Sequence, residues 1–131
     1  MTEFDPTTLA RTPQLALTLA EGLLAHSPPA QGKSSAVWTG YATLPLAGLL
    51  YAAAHDHLGI DWVLHAAANT TGDVAPHEPG WLNAAQRVAD APVLATALTQ
   101  AVNLDARQRD RVAAAVLNAL AAWQHHRHGR R

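Results

Sequence analysis

Leu15, Leu19 and Leu23 recur at helical spacing, with Leu24 widening the stripe, and predict a first helix. It starts at Pro13, which is preorganised for a first helical turn, with Thr12 as its cap, and stops before His26-Ser27-Pro28-Pro29. Upstream, Phe4 to Leu9 reads as a turn or short helix laid against the body. Residues 27–35 are small, polar and proline-bearing, the pattern of a loop. A second helix, capped by Ser34 or Ser35, continues to about Ala54, and from Ala36 to Ala54 it carries no charge at all. A helix apolar on every face in a globular domain is the central one, packed all round by its neighbours. Pro45 has no N–H for the carbonyl of Tyr41 and should kink this helix or divide it in two. The uncharged run approaches membrane-spanning length. Thr39, Gly40, Thr43, Pro45 and Gly48 dilute its apolarity, however, and no Lys or Arg cluster flanks it, so the buried reading is preferred.

Asp61 is expected to cap a short third helix, from Trp62 to about Ala68, broken by Asn69-Thr70-Thr71-Gly72-Asp73. The proline-bearing stretch 72–80 reads as an exposed loop, and a fourth helix covers 81–88. Asp90 is expected to cap a fifth, with Pro92 near its first turn and Leu94, Leu98 and Val102 along its face. The sixth opens at Asp105, with Gln108 in the spacing of a capping box. Val112, Val116, Leu120 and Trp123 form its apolar stripe, with Ala113 and Leu117 beside it. The tail His125-His126-Arg127-His128-Gly129-Arg130-Arg131 is basic and expected to fray. The pattern predicts an all-α single domain of about six helices around a kinked central apolar helix, with its body between about residues 13 and 123.

Composition agrees. A chain of 131 residues fits one domain, and 49% of it is hydrophobic, dominated by alanine and leucine. Isoleucine and phenylalanine occur once each, too few for a large sheet. The formal net charge is −1, so any nucleic-acid or anionic partner must be met by a local patch. The absence of cysteine removes disulfides, thiolate zinc sites and cysteine nucleophiles together. Met1-Thr2-Glu3-Phe4-Asp5 does not open like a signal peptide.

Candidate chemistry is sparse. Gly32-Lys33-Ser34 ends like a phosphate-binding loop, but Ser27 stands where the loop needs its first glycine, and Pro28 and Pro29 remove two N–H donors. The histidines His55, His57, His65 and His77 and the tail His125, His126 and His128 do not show the converging set that a metal requires, and His55 and His57 suit a helix C-terminus. Asp61, Asp90 and Asp105 have capping jobs, and no serine sits in a nucleophile elbow. No catalytic, cofactor or metal site is therefore expected. What remains is Arg107, Arg109 and Arg111 around the first turns of the sixth helix, with Arg87 elsewhere. Arg107, Arg111, Asn118 and His125 share the face opposite the apolar stripe. Arg107 and Arg111 can touch phosphates as a pair, and with Asn118 they are the expected nucleic-acid or partner-binding residues. The simpler alternative is a solvated face with Asp110 as local partner.

The run Trp38, then Leu46-Ala47-Gly48-Leu49-Leu50-Tyr51-Ala52-Ala53-Ala54, Trp62-Val63-Leu64, Asp105-Ala106-Arg107, Val112, Leu117 and Leu120-Ala121 resembles the all-α domain of type IV coupling proteins, of actinobacterial type. These are membrane-anchored hexameric ATPases of conjugation and type IV secretion, related to the FtsK and TraG types. The resemblance covers roughly residues 34–123 and rests on apolar spacing. It implies a substrate-recognition domain inserted in the nucleotide-binding domain of a cytoplasmic ring. Its partners would be a DNA–relaxase complex or a secreted protein substrate, together with the rest of the coupling ATPase. The nucleotide motifs and the membrane contact would lie outside this domain. The alternative is a free-standing helical adaptor or regulator that pairs with another protein through a groove.

Overall fold

The computed structural model describes residues 6–25, 35–69 and 78–128, with the backbone alone for 35–40 and 122–128. The predicted loop 27–35 up to Ser34, its Gly32-Lys33-Ser34, His77, and the side chains of Trp38, Trp123, His125, His126 and His128 lie outside what is described. The described residues form a 3-10 turn, Pro6–Leu9, and six α-helices: α1 (Pro13–Ala25), α2 (Ser35–His55), α3 (Gly59–Ala67), α4 (Trp81–Arg87), α5 (Pro92–Val102) and α6 (Ala106–His128). The architecture is all-α, a bundle of helices forming a compact single domain.

α2 is central because no side of it tolerates water. It packs against each of the other five helices and the 3-10 turn. From Pro45 to Ala53 every residue is buried, and Leu46, Leu49 and Leu50 are among the largest side chains fully removed from solvent. The helix is continuous through Pro45 rather than divided there. One missing N–H costs one bond, while burial of the surrounding leucines contributes about 1.5–3 kcal/mol each.

α1 docks on α2 through a different stripe from the leucines expected to lead it. Ala16, Ala20 and Leu24 are buried, Leu19 and Leu23 are partly buried, and Leu15 is half exposed. Alanines at this spacing let the two helix backbones approach closely, which leucines would prevent. The cap is as expected: the Leu15 N–H donates to Thr12 Oγ1 at 3.1 Å. Asp105 likewise caps α6, its Oδ1 accepting from the Gln108 N–H at 3.0 Å.

Two further expected caps, at Asp61 and Asp90, are not made. α3 begins three residues earlier than expected, at Gly59, which puts Asp61 inside the first turn instead of at the cap. There it still faces the positive end of the helix. α5 begins at Pro92, so its cap position falls on Ala91, with no side-chain cap bond, and Asp90 is one residue too early. α6 continues to His128 although fraying is expected from His125; no glycine or proline interrupts the sequence between Ala106 and His128. Of its predicted inward stripe, Val112, Val116 and Leu120 are buried, with Ala113 beside them and Ala119 added, whereas Leu117 is 38% exposed. In α5, Leu94 and Leu98 are buried and Val102 partly so.

Trp81 welds α4 to α3. It is wholly buried, and its indole N–H donates to the carbonyl of Ala67, in the last turn of α3, at 3.1 Å. Its backbone N–H donates to the Asn69 carbonyl at 3.0 Å, and Asn69 Nδ2 donates to the Pro79 carbonyl at 2.6 Å. A helix end whose carbonyls lack partners is thereby satisfied from the next element.

Leu49→Ala should lower the unfolding free energy by about 2–5 kcal/mol, the range for truncation in a packed core, measured by urea titration. Two of the helical glycines, Gly22 and Gly48, should respond with opposite signs. Nothing lies within 4 Å of a Cβ built on Gly22, whereas one on Gly48 meets Leu98 Cδ1 at 2.6 Å and Cγ at 3.0 Å. Gly22→Ala should gain about 0.5–1 kcal/mol of stability from reduced chain entropy. Gly48→Ala should lose stability, because overpacking costs about 1–3 kcal/mol against a propensity gain of about 1. A stabilising Gly48→Ala would mean that Leu98 is free to move aside.

Candidate functional site

The outer face of α6 presents Arg107, Arg111 and Asn118, all exposed as expected. At about 100° per residue these fall within a narrow arc, with the exposed Ala114 between them and Ala121 beyond. From Arg107 to Asn118 the strip spans about 16 Å at a rise of about 1.5 Å per residue. Asp110 is exposed beside the two arginines, and Leu117 is 38% exposed beside Asn118. Arg109 does not join them. It points the other way round the helix, and its Nη1 donates to the carbonyl of Val102, in the last turn of α5, at 3.3 Å. Its Nε is buried without a hydrogen-bond partner. Arg109 therefore braces the α5–α6 turn and is not part of the outer patch.

Stacking on nucleic-acid bases would need an exposed aromatic ring. Trp81 is wholly buried and unavailable for it. Trp62 is half-buried and already covered by Arg87, whose guanidinium carbon lies 5.7 Å from the centre of the indole ring.

The densest polar cluster among the described residues lies where α2 leaves the core, and sequence reasoning missed it. α2 ends in a helix stop with His57 in the left-handed region at φ 56°. The Leu58 N–H donates to the Ala53 carbonyl at 2.8 Å and the His57 N–H to Ala54 at 3.4 Å, the pair of bonds that closes a helix of this kind. Gly59 follows at φ 82°, so the chain turns sharply into α3. The turn fixes Asp56 at the helix end, where one oxygen accepts from Arg87 Nη1 at 2.6 Å and the other faces His55 Nδ1 at 2.9 Å. Arg87 Nε donates to Asn83 Oδ1 at 2.7 Å. His55 Nε2 lies 3.8 Å from Asp90 Oδ2, which also accepts the Tyr51 hydroxyl at 3.2 Å.

The cluster thus joins α2, α3, α4 and the α4–α5 turn. Arg87, and to a lesser degree His55, holds the Asp56 carboxyl below the ordinary carboxylate range. The bond to Asp56 raises the His55 imidazole, with smaller contributions from the fields of Asp56 and Asp90 and with desolvation opposing. Burial first, then the bond to Asp90, pushes up the Tyr51 phenol. Both ring nitrogens of His55 face carboxylates, so the imidazole has no hydroxyl to activate. One signal could have exposed part of this. Reading Pro92 as the first residue of α5 makes Ala91 the cap and releases Asp90 for another partner.

Among the described residues no three or more His, Cys, Asp or Glu side chains are grouped so as to hold a metal ion. No helix among them is long and apolar enough to cross a membrane. No family model, no curated protein and no solved structure matches this chain.

The lowered Asp56 carboxyl has a pH consequence. Its contribution to stability should be fully present above the unfolded-state value of about 4 and be lost as the pH falls through the lower folded-state value. Urea titrations from pH 2.5 to 6 should show wild type more stable than Asp56→Asn near pH 6, with the difference shrinking in acid. A difference constant with pH would mean that the pair with Arg87 does not favour the ionised carboxylate.

Proposed function

We propose that this chain is a helical recognition domain without chemistry of its own, the all-α substrate-recognition part of a type IV coupling protein. In this reading it meets a DNA–relaxase complex or a secreted protein substrate at the cytoplasmic entrance of the ATPase ring. The observation that carries the recognition role is the exposed strip Arg107, Arg111 and Asn118 on the outer face of α6. The long α6 is held from behind by Val112, Val116 and Leu120, so the strip is presented on a rigid support. The likeness to coupling proteins rests on apolar residues such as Leu46, Leu49, Leu50, Val63, Val112 and Leu120, which are core positions here. It supports a common helix arrangement more directly than a common ligand.

A free-standing adaptor is the second reading, and the flanks of the strip favour it. Asp110 weakens the positive field of the two arginines, and the partly exposed Leu117 suits a protein surface better than a phosphate backbone.

Fluorescence anisotropy with labelled single- and double-stranded DNA across a salt series tests the choice. For DNA contact, binding should be weak and the log–log salt slope roughly 0.7–0.9 per phosphate contacted, over about two to four phosphates. Arg107→Ala combined with Arg111→Ala should flatten that slope by about one to two, whatever the DNA sequence. Binding indifferent to salt, or unchanged in the double variant, would remove DNA contact by this strip and leave a protein partner as its ligand.

A further inference from the structure

We propose that His55 is a proton-operated clamp between the end of α2 and the α4–α5 turn, holding Asp56 and Asp90 together when both ring nitrogens are protonated and releasing Asp90 when one proton leaves. The geometry makes the case. Nδ1 faces Asp56 Oδ1 at 2.9 Å and Nε2 faces Asp90 Oδ2 at 3.8 Å. A neutral imidazole has one N–H and one lone pair, so it can serve only one of two carboxylates and must turn a lone pair on the other. The imidazolium donates to Asp56 through Nδ1 and, through the proton on Nε2, attracts the Asp90 carboxylate across 3.8 Å. Of the two contacts the one to Asp56 is shorter, so the neutral ring keeps its hydrogen on Nδ1 and leaves Nε2 bare opposite Asp90.

The partners differ in what else holds them. Asp56 is tied to Arg87 through its other oxygen at 2.6 Å, a bond that does not depend on the imidazole. Among the described residues, Asp90 has besides the imidazole only the Tyr51 hydroxyl, at 3.2 Å on the same oxygen that faces Nε2. Deprotonation therefore loosens the Asp90 side alone. The Asp90 turn is short, closed by the Ala91 N–H on the Val88 carbonyl at 2.7 Å, and leads directly into α5 at Pro92.

Few other charges act at the site. From α2 and its end come Tyr51, whose ring centre is 5.8 Å from that of His55, and Asp56. α4 brings Arg87, on the far oxygen of Asp56, and the α4–α5 turn brings Asp90. α1, α3, α5, α6 and the 3-10 turn place no charged group within ion-pair distance of His55 among the described residues. His55 is 45% exposed on its side chain and Asp90 56%, so protons exchange freely with solvent. Because the folded-state affinity of His55 for its proton is raised, the clamp is fully closed below the ordinary histidine value and opens as pH rises through the higher folded value.

The test is an NMR titration of the full chain from pH 5 to 9, with the His55 ring signal assigned by its loss in His55→Gln. The backbone amides of Ala89, Asp90 and Ala91 should move with the same midpoint as the His55 ring, and their hydrogen-exchange protection should fall several-fold across it. Asp90→Asn keeps an acceptor for Tyr51 but removes the charge; it should lower the His55 midpoint and abolish the pH response of the turn. An unshifted His55 midpoint in Asp90→Asn would overturn the clamp. So would turn amides in the wild type that do not titrate, or titrate with a different midpoint. If His55→Gln does not fold, ring signals in wild type and Asp90→Asn still decide the matter.

Discussion

The fold depends on a helix that cannot face water on any side. α2 has no polar face to offer solvent over its middle, and an uncovered Leu46, Leu49 or Leu50 would each cost about 1.5–3 kcal/mol. Five helices and a 3-10 turn are needed to enclose it. The neighbours reach it by being small where they touch or by fitting a gap where α2 is small. α1 presents Ala16 and Ala20, and α5 lays Leu98 over Gly48. Removing bulk from the contact lets backbones come close, so dispersion and burial are gained along much of the helix.

The same constraint decides where the polar chemistry gathers. The first charged residues of α2 can appear only where it leaves the core, at His55 and Asp56, and the neighbouring elements converge there because they all pack on α2. Arg87 from α4, Asp90 from the α4–α5 turn and Trp62 from α3 meet them. Partly exposed ion pairs of this kind contribute little stability each, commonly about 0–1 kcal/mol. Their effect here is positional. They tie the short α4 and the turn after it to the end of α2.

α6 does different work with the same kind of amphipathic pattern. Its inner stripe closes the core and its outer strip is left to solvent, while Arg109 turns back to hold the end of α5. A recognition surface mounted on such a helix needs no cavity and no catalytic group, only side chains held in register by the buried face behind them. That arrangement is the physical content of the proposed role, and the modest charge of the strip bears on which partner it meets.

Much of this was written in the sequence. The uncharged run 36–54, the Thr12 and Asp105 caps, the Val112–Val116–Leu120 stripe and the exposure of Arg107, Arg111 and Asn118 all follow from spacing and local bonding within a few residues. The tertiary structure decided what depends on residues far apart in the chain. Whether α1 buried its leucines or its alanines depended on how closely α2 could be approached. Whether Asp90 capped a helix or took the hydroxyl of Tyr51, and whether Arg87 found Asp56 or stayed in water, depended on where α4 came to rest. Helical periodicity says which side chains share a face. Only packing says what that face meets, because the partners are brought together by covering α2 and not by their own sequence.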